Sequence, residues 1–327
     1  TKNYDDIPES GIRSFLELPR FASGYCSLFN TFPFIAETHM LKPFPSRVSS
    51  TVKLMESLLE MSSSESEKIK EARNLARQED ISRKLFPTNW ELDTNYSELI
   101  NFKGYEAETK ISAVTGLPQI FYNHNKPFEK KIKYQPKYNA VDTIAAPMYY
   151  LIPQAWYKVA NNLEQSKIRL ITVKADSTTM AEVTYIDTYE TTDSPYEGHY
   201  LHHSTKVSKR LEKVQVMKGD YLVPMFQENS RFLVETLEPV AADSYFNWGF
   251  FDAILQQKEW FSGYVFEPVA EKLLQENPGL KKEFEEKKLK EPEFSKDSFS
   301  QLYFIYRHSP YFEKSFQRFP VVRIGTR

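Results

Sequence analysis

The stretch NTFPFIAETHMLKP, Asn30 to Pro43, decides how the fold of this chain is interpreted. A nearly continuous apolar run from Phe32 to Ala36 predicts a strand buried on both faces, as in α/β sheets. It ends in Glu37, Thr38 and His39. Because open α/β sheets bind ligands at the carboxyl ends of their strands, Glu37 is a candidate general base. The alternative is a structural role, in which Glu37 pairs with Lys42 or Arg47.

A strand as apolar as Phe32–Ala36 needs hydrogen-bonding neighbours on its edges and cover on its faces. No other run before residue 100 has the pattern of a strong parallel strand. We therefore expect the sheet partners of this strand to come from sequence upstream of Thr1. The region beyond residue 81, by contrast, is expected to be compact without them.

The residue patterns along the chain change twice and predict an α/β protein of three parts. These are residues 1–80, a β-rich domain over residues 81–240, and a helical extension over residues 241–327. A helix is predicted around Val48–Leu59, and a second opens with a capping box of Ser64 and Glu67. The other predicted helices are Gln154–Glu164, one N-capped by Asp243, Glu267–Glu276 and Phe299–His308. The predicted strands include KISAV (110–114), KIRLITV (167–173), AEVTYIDTY (181–189) and GHYLHHSTKV (198–207).

Composition excludes several classes of protein. The 327 residues are 41% hydrophobic and 15% aromatic, with a net charge of −2, so a sizeable core is expected and disorder is not. No basic stripe of the kind that nucleic acid or anionic membranes require is present. No stretch approaches the ~20 apolar residues of a membrane span. The single cysteine, Cys26, excludes an intrachain disulfide framework, and a buried cysteine is the simplest interpretation of it.

Common catalytic motifs are missing from the chain. There is no G-x-G-x-x-G, no P-loop and no G-x-S-x-G elbow. None of the six histidines begins an H-x-x-E or an H-E-x-x-H. His199 and His203 share a strand face but lie ~13 Å apart, too far to hold one zinc. We expect no metal site within this chain.

Several segments together resemble one family. PRFASGYCSLFNTFPFIAETHMLKPFPSRV looks like the last catalytic segment of zinc metallocarboxypeptidase-like proteins, the carboxypeptidase A-like peptidases, in a bacterial subgroup. The matching positions are Glu37, Thr38, His39, Lys42, Pro43, Arg47 and Val48. Downstream, APMYYLIPQAW, GDYLVPMFQENSRFLVETLEP, DSYFNWGFFDAILQQKEWFSGYVFEPVA and HSPYFEKSFQRFPVVRI resemble landmarks of the accessory region of the same subgroup.

The resemblance implies a hydrolase that removes C-terminal residues from peptides with the help of zinc. Glu37 would be the general base, Thr38 and His39 would orient it, and Tyr25 would be the tyrosine that closes over the substrate. The fold implied is the end of a carboxypeptidase-like mixed sheet with flanking helices, then a β-rich accessory domain and a helical extension. A periplasmic or secreted location is also implied.

The chain departs from the family in one respect. The zinc-binding H-x-x-E and a later histidine belong upstream of the glutamate, yet none of the 36 residues before Glu37 is a histidine. The chain therefore looks like the C-terminal part of such a protein, with an upstream catalytic segment as its partner and zinc bound only in the intact protein.

Two other classes stay open. The first is a binding module without enzymatic activity, in which aromatic residues of the β-rich region recognise peptide or glycan; the candidates are Tyr149, Tyr150, Trp156, Tyr185 and Tyr189. The second is a pseudoenzyme that keeps the fold without the metal. An H-x-x-E pair upstream would favour the enzyme over both.

Overall fold

A computed structural model describes residues 7–326 of the chain, with helices and sheets in comparable amounts. In chain order, its α-helices are α1 (Ala22–Ser27), α2 (Phe44–Ser64), α3 (Ser66–Ser82), α4 (Tyr157–Gln165), α5 (Ser230–Leu237), α6 (Gly263–Glu276), α7 (Pro278–Lys290), α8 (Pro292–Lys296) and α9 (Ser298–Arg307). Its strands are β1 (Ile12–Arg13), β2 (Leu85–Leu92), β3 (Glu98–Ile111), β4 (Pro118–Gln135), β5 (Tyr138–Ala145), β6 (Pro147–Ile152), β7 (Ile171–Thr172), β8 (Ser177–Thr191), β9 (His202–Val216), β10 (Tyr221–Pro224) and β11 (Val322–Thr326).

A six-stranded sheet with the order β7-β10-β6-β11-β8-β9 organises the centre of the molecule. Its longest pairing is the antiparallel hairpin of β8 and β9, which runs from Ser177 opposite Val216 to Thr191 opposite His202. Strand β11, from the end of the chain, lies between β6 and β8 and is antiparallel to both. The predicted helical extension therefore returns its last residues to the central sheet.

Two smaller sheets precede the central one. Strands β3 and β4 form a long antiparallel hairpin, and β1 pairs with β4 in parallel. Strands β2 and β5 form a two-stranded antiparallel sheet with register shifts between Pro87 and Trp90. These pairings account for much of the predicted β-rich region.

The two faces of the central sheet bury different sets of side chains. On β6, Tyr150 and Ile152 belong to the main core, whereas Leu151 faces a second cluster with Val183 and Val322. This alternation follows from the twofold period of a strand. Helices α4 and α5 and the segment 246–254 cover the main core. Helices α6 to α9 bury a separate aromatic core of their own.

A buried ionic network crosses the main core. Arg323 on β11 forms ion pairs with Glu182 and with Glu238, whose Oε1 lies 3.0 Å from Arg323 Nε. Tyr150 donates its hydroxyl to the same Glu238 oxygen at 2.7 Å. Burial, together with the charge of Glu238, raises the pKa of Tyr150 well above its usual range. Because Arg323 and Glu238 are almost completely buried, each needs the other to offset its desolvation.

The structure corrects several sequence predictions. Phe32–Ala36 is not a strand: residues 31–39 have no regular secondary structure, because no strand among residues 7–326 pairs with them. The helix predicted after Asp243 is replaced by turns and the short 3-10 helix Asp252–Ile254, because the aromatic side chains of this segment enter the main core. KISAV reaches only Ile111 before a turn, and KIRLITV pairs only at Ile171–Thr172.

The predicted capping box is also wrong. Ser64 lies in the last turn of α2, where its hydroxyl donates to the Met61 carbonyl. Helix α3 begins at Ser66, and its N-cap Glu65 makes no side-chain capping bond. The helices themselves are confirmed at both places, as are those predicted at 154–164, 267–276 and 299–308.

Candidate functional site

The predicted general base lies in the irregular segment between α1 and α2. Glu37 and His39 are exposed and Thr38 is half-buried. A turn closes the segment: Lys42 donates its N–H to the His39 carbonyl at 3.0 Å, and Leu41 donates its N–H to His39 Nδ1 at 3.2 Å. His39 therefore orders the entry into α2, and the carboxylate of Glu37 is accessible from solvent.

The partners expected for Glu37 do not contact it within residues 7–326. No hydrogen bond joins Glu37 to Thr38 or His39, and no ion pair joins it to Lys42 or Arg47. The guanidinium of Arg47 lies instead over the ring of Phe44, 5.5 Å from its centroid. The structural role considered for Glu37 is therefore not seen in this part of the chain.

Many apolar side chains that flank Glu37 in sequence are exposed. Helix α2 has the apolar periodicity that the sequence predicts, yet it buries none of its residues. We call these exposed side chains together the Glu37 apolar surface: Phe32, Phe34, Ile35, Met40, Leu41, Phe44, Val48, Val52, Leu54, Met55, Leu59 and Met61. A helix that exposes its apolar face in this way is typical of an interaction site.

Tyr25, the predicted substrate tyrosine, lies in a different place. It is on α1, its ring packs against Phe29 and Phe232, and its hydroxyl is 3.2 Å from Ser166 Oγ. It lines a cavity of about 500 Å³ together with Tyr245 and residues from α4 and α5. Glu37, Thr38 and His39 do not line this cavity, so the structure does not bring Tyr25 together with them there.

Metal-ligand geometry is not found among residues 7–326: no three His, Cys, Asp or Glu side chains are grouped so that they could hold an ion. The histidines serve other purposes. His202 is buried between Thr191 Oγ1 at 2.8 Å and Asp252 Oδ1 at 3.0 Å. His124 stacks on Tyr105, and His199 packs against Trp248.

Arg20 and Asp243 form an ion pair that local sequence did not predict. The Asp243 side chain accepts from the Arg20 backbone N–H at 2.8 Å and from Arg20 Nε at 2.9 Å, and Arg20 Nη2 lies 2.6 Å away. Trp248 Nε1 donates to the same carboxylate at 3.3 Å. The Arg20 guanidinium also lies over the rings of Tyr196 and Trp248. The pair spans 223 positions of sequence, so no local spacing could reveal it.

Glu235 on α5 is a buried acid close to this pair. Burial raises its pKa from 4.5 to about 7, the positive Arg231 opposes the shift, and the negative Asp243 adds to it. Arg231 Nε lies 3.3 Å from Glu235 Oε1, one helical turn away. Perturbed acids of this kind occur at functional sites and in structural networks alike.

An aromatic cleft of about 740 Å³ opens beside the main core. Its walls are the start of α4, the turn between β8 and β9, and the segment 248–252. Its lining includes Trp156, Tyr157, Lys158, His199, Tyr200, Trp248, Phe250 and Asp252. Of the aromatic residues put forward from the sequence for a binding face, Tyr150 is fully buried and Trp156 and Tyr189 pack against the main core. The two most exposed tyrosines of the cleft, Tyr157 and Tyr200, were not put forward from the sequence.

Comparison of the chain with protein-family models, with curated proteins and with solved structures gives no match. The structure is that of a protein of mixed helices and sheets with an exposed Glu37 loop and an aromatic cleft. No helix in the described range combines the length and apolar character required to cross a bilayer.

Proposed function

We propose that this chain contributes the general base Glu37 to a zinc-dependent, carboxypeptidase-like peptidase that removes C-terminal residues from peptides. One observation carries the proposal: the E-T-H-x-x-K-P run with its following R-V, which resembles the catalytic segment of that family and holds an exposed carboxylate. The downstream landmarks, in the same order as in the family, support it.

The residues described here do not fit a zinc site, since no suitable group of ligands is present among them. In the proposal, zinc is held by polypeptide other than residues 7–326, and no step through the metal is derived from this chain. What residues 7–326 contribute to the reaction is the base Glu37, which accepts a proton from the attacking water and returns it to the leaving amine. Such proton transfers typically contribute 10²–10⁴-fold to the rate.

The Glu37 apolar surface supports the proposal that a further catalytic segment packs here. Each 100 Å² of apolar surface removed from water stabilises an association by roughly 2.5 kcal/mol before entropic costs. Cover over Phe32, Phe34 and the exposed face of α2 would also shield Glu37 from bulk water. Thr38 and His39 would then orient the carboxylate, and the resemblance gives Tyr25 the role of closing over the substrate.

The proposal assigns residues 1–80 to the catalytic domain, residues 81–240 to an accessory domain and residues 241–327 to an extension. It also includes the periplasmic or secreted location implied by the resemblance. A pseudoenzyme of the same fold is the competing proposal, and zinc content distinguishes the two.

The test uses the protein as its own gene encodes it, purified from the native host. Three quantities are measured on the wild type and on Glu37→Gln: the zinc content, the intact mass, and the rate at which C-terminal amino acids are released from a peptide mixture. We expect bound zinc in both proteins and a fall in turnover of about 10²–10⁴-fold in the variant. Gln keeps the size of the side chain and removes the base.

Glu60→Gln is the matched control, because Glu60 is an exposed glutamate on the neighbouring helix. Its turnover should equal that of the wild type. Peptidase activity that survives Glu37→Gln would remove Glu37 from the mechanism. A native protein without zinc and without peptidase activity would favour the pseudoenzyme.

A further inference from the structure

The aromatic cleft is built from elements that hold its side chains in fixed positions. At the start of α4, the ring of Trp156 packs against Phe251, 4.9 Å between centroids, in the main core. This contact anchors the helix start, while the next residue, Tyr157, is 52% exposed on the wall of the cleft.

A tight hairpin turn forms the second wall. Tyr196 and His199 exchange two backbone hydrogen bonds of 2.9 Å each, and the two residues between them have positive φ, 48° at Glu197 and 80° at Gly198. Positive φ at both central positions is typical of a type I′ turn. The turn leads directly into Tyr200, which is 56% exposed.

The third wall is the segment 248–252. The indole N–H of Trp248 donates to Asp243, and its ring contacts His199, so the ring plane is held from two sides. Asp252 is fixed by His202: with Nε2 protonated, the imidazole donates to Asp252 Oδ1 and accepts from Thr191 at Nδ1. A buried histidine thereby orients a carboxylate that is itself exposed.

Two tyrosines of the cleft, Tyr157 and Tyr200, have no ring contact and no side-chain hydrogen bond within residues 7–326. Their faces and hydroxyls are available to a ligand. Because the surrounding walls are already ordered, the side-chain entropy lost on binding would be mainly that of Tyr157 and Tyr200 themselves.

The charges of the cleft restrict the chemistry of its ligand. Lys158 and Asp252 are the charged residues of its lining, one of each sign. A polyanion would be repelled by Asp252 and would find only one cation, Lys158, in the lining. A wholly apolar ligand would cover the Asp252 carboxylate without giving it a hydrogen bond, which is costly. A neutral ligand with hydroxyl donors and flat apolar faces satisfies both the rings and the carboxylate.

We propose that the aromatic cleft binds a neutral oligosaccharide. Sugar rings stack their apolar faces on Tyr157 and Tyr200, and hydroxyl groups donate to Asp252. The volume of the cleft lies within the range of about 300–1,000 Å³ usual for small-ligand sites. This inference is independent of Glu37 and of zinc.

The test is calorimetric titration of the 327-residue chain with cellohexaose, N-acetylchitohexaose, xylohexaose and maltohexaose, with intrinsic tryptophan fluorescence as a second signal. We expect at least one of these sugars to bind, and we expect Tyr157→Ala and Tyr200→Ala each to raise its Kd about tenfold. Tyr264→Ala, an 86% exposed tyrosine on α6 outside the cleft, should leave the Kd unchanged. Circular dichroism checks that each variant is folded.

Three results would overturn the proposal. The first is that none of the four sugars binds with a Kd below about 10 mM, which would mean an affinity too weak for a specific site. The second is a Kd that neither cleft variant changes. The third is binding of uncharged peptides at the cleft while all four sugars fail, which would assign the cleft to a polypeptide.

Discussion

Replacement of Glu235 by glutamine tests whether α5 holds a neutral acid in the core. Glu235 is 3% exposed, and its pKa is raised from 4.5 to about 7 by burial, against the opposing charge of Arg231. Gln keeps the shape and cannot ionise. The variant therefore removes the titration while retaining a hydrogen-bonding side chain.

The sign of the effect follows from proton linkage. A carboxyl with a raised pKa in the folded state binds a proton that the unfolded chain releases between pH 4.5 and about 7. Its contribution to stability is therefore fully present below pH 4.5 and is lost as the pH rises through 7. With these two pKa values, the loss between pH 5 and pH 8 is about 2–3 kcal/mol.

The assay is urea unfolding of the wild type and Glu235→Gln at pH 5 and pH 8. We expect the stability of the variant relative to the wild type to improve by about 2–3 kcal/mol from pH 5 to pH 8. Carboxyl NMR titration of Glu235 should give its midpoint directly. Glu283→Gln, an exposed glutamate on α7, is the control and should show no such gain. Identical pH dependence in the wild type and Glu235→Gln would refute the reasoning.

The remaining predictions concern the core and α1. Tyr150→Phe removes the 2.7 Å hydrogen bond to the buried carboxylate of Glu238 and should lower the free energy of unfolding by about 1.5–3 kcal/mol in urea denaturation. An unchanged stability would show that the network does not depend on this hydroxyl. Gly24→Ala should destabilise the protein by about 1–3 kcal/mol, because a Cβ there would clash with the Leu18 carbonyl oxygen. Gly116→Ala, whose Cβ would meet nothing within 4 Å, is the comparison: its cost should be only the backbone strain of its φ of 69°, about 1 kcal/mol. Equal losses in the two glycine variants would contradict the predicted clash.

Local periodicity determined most of the regular elements. The 3.6-residue spacing around Val48–Leu59 and the alternation in AEVTYIDTY are properties of consecutive residues, and α2 and β8 form where these patterns lie. The composition also predicted a sizeable core, and Tyr150 is among the residues buried in it. The helix over 267–276 is likewise present.

Tertiary structure decided the rest, because it depends on which distant segments are available as partners. The run Phe32–Ala36 has the composition of a buried strand, yet a strand exists only where another strand completes its hydrogen bonds. After Asp243, helical spacing was overridden because the main core takes up Phe246 and Phe251 from turns. Asp243 itself forms an ion pair with Arg20, which lies 223 positions away in the sequence. The aromatic cleft likewise joins three segments that are far apart in sequence, so no local pattern encodes it. Spacing along a chain specifies which face of an element is apolar, but what covers that face is fixed only when the segments fold together.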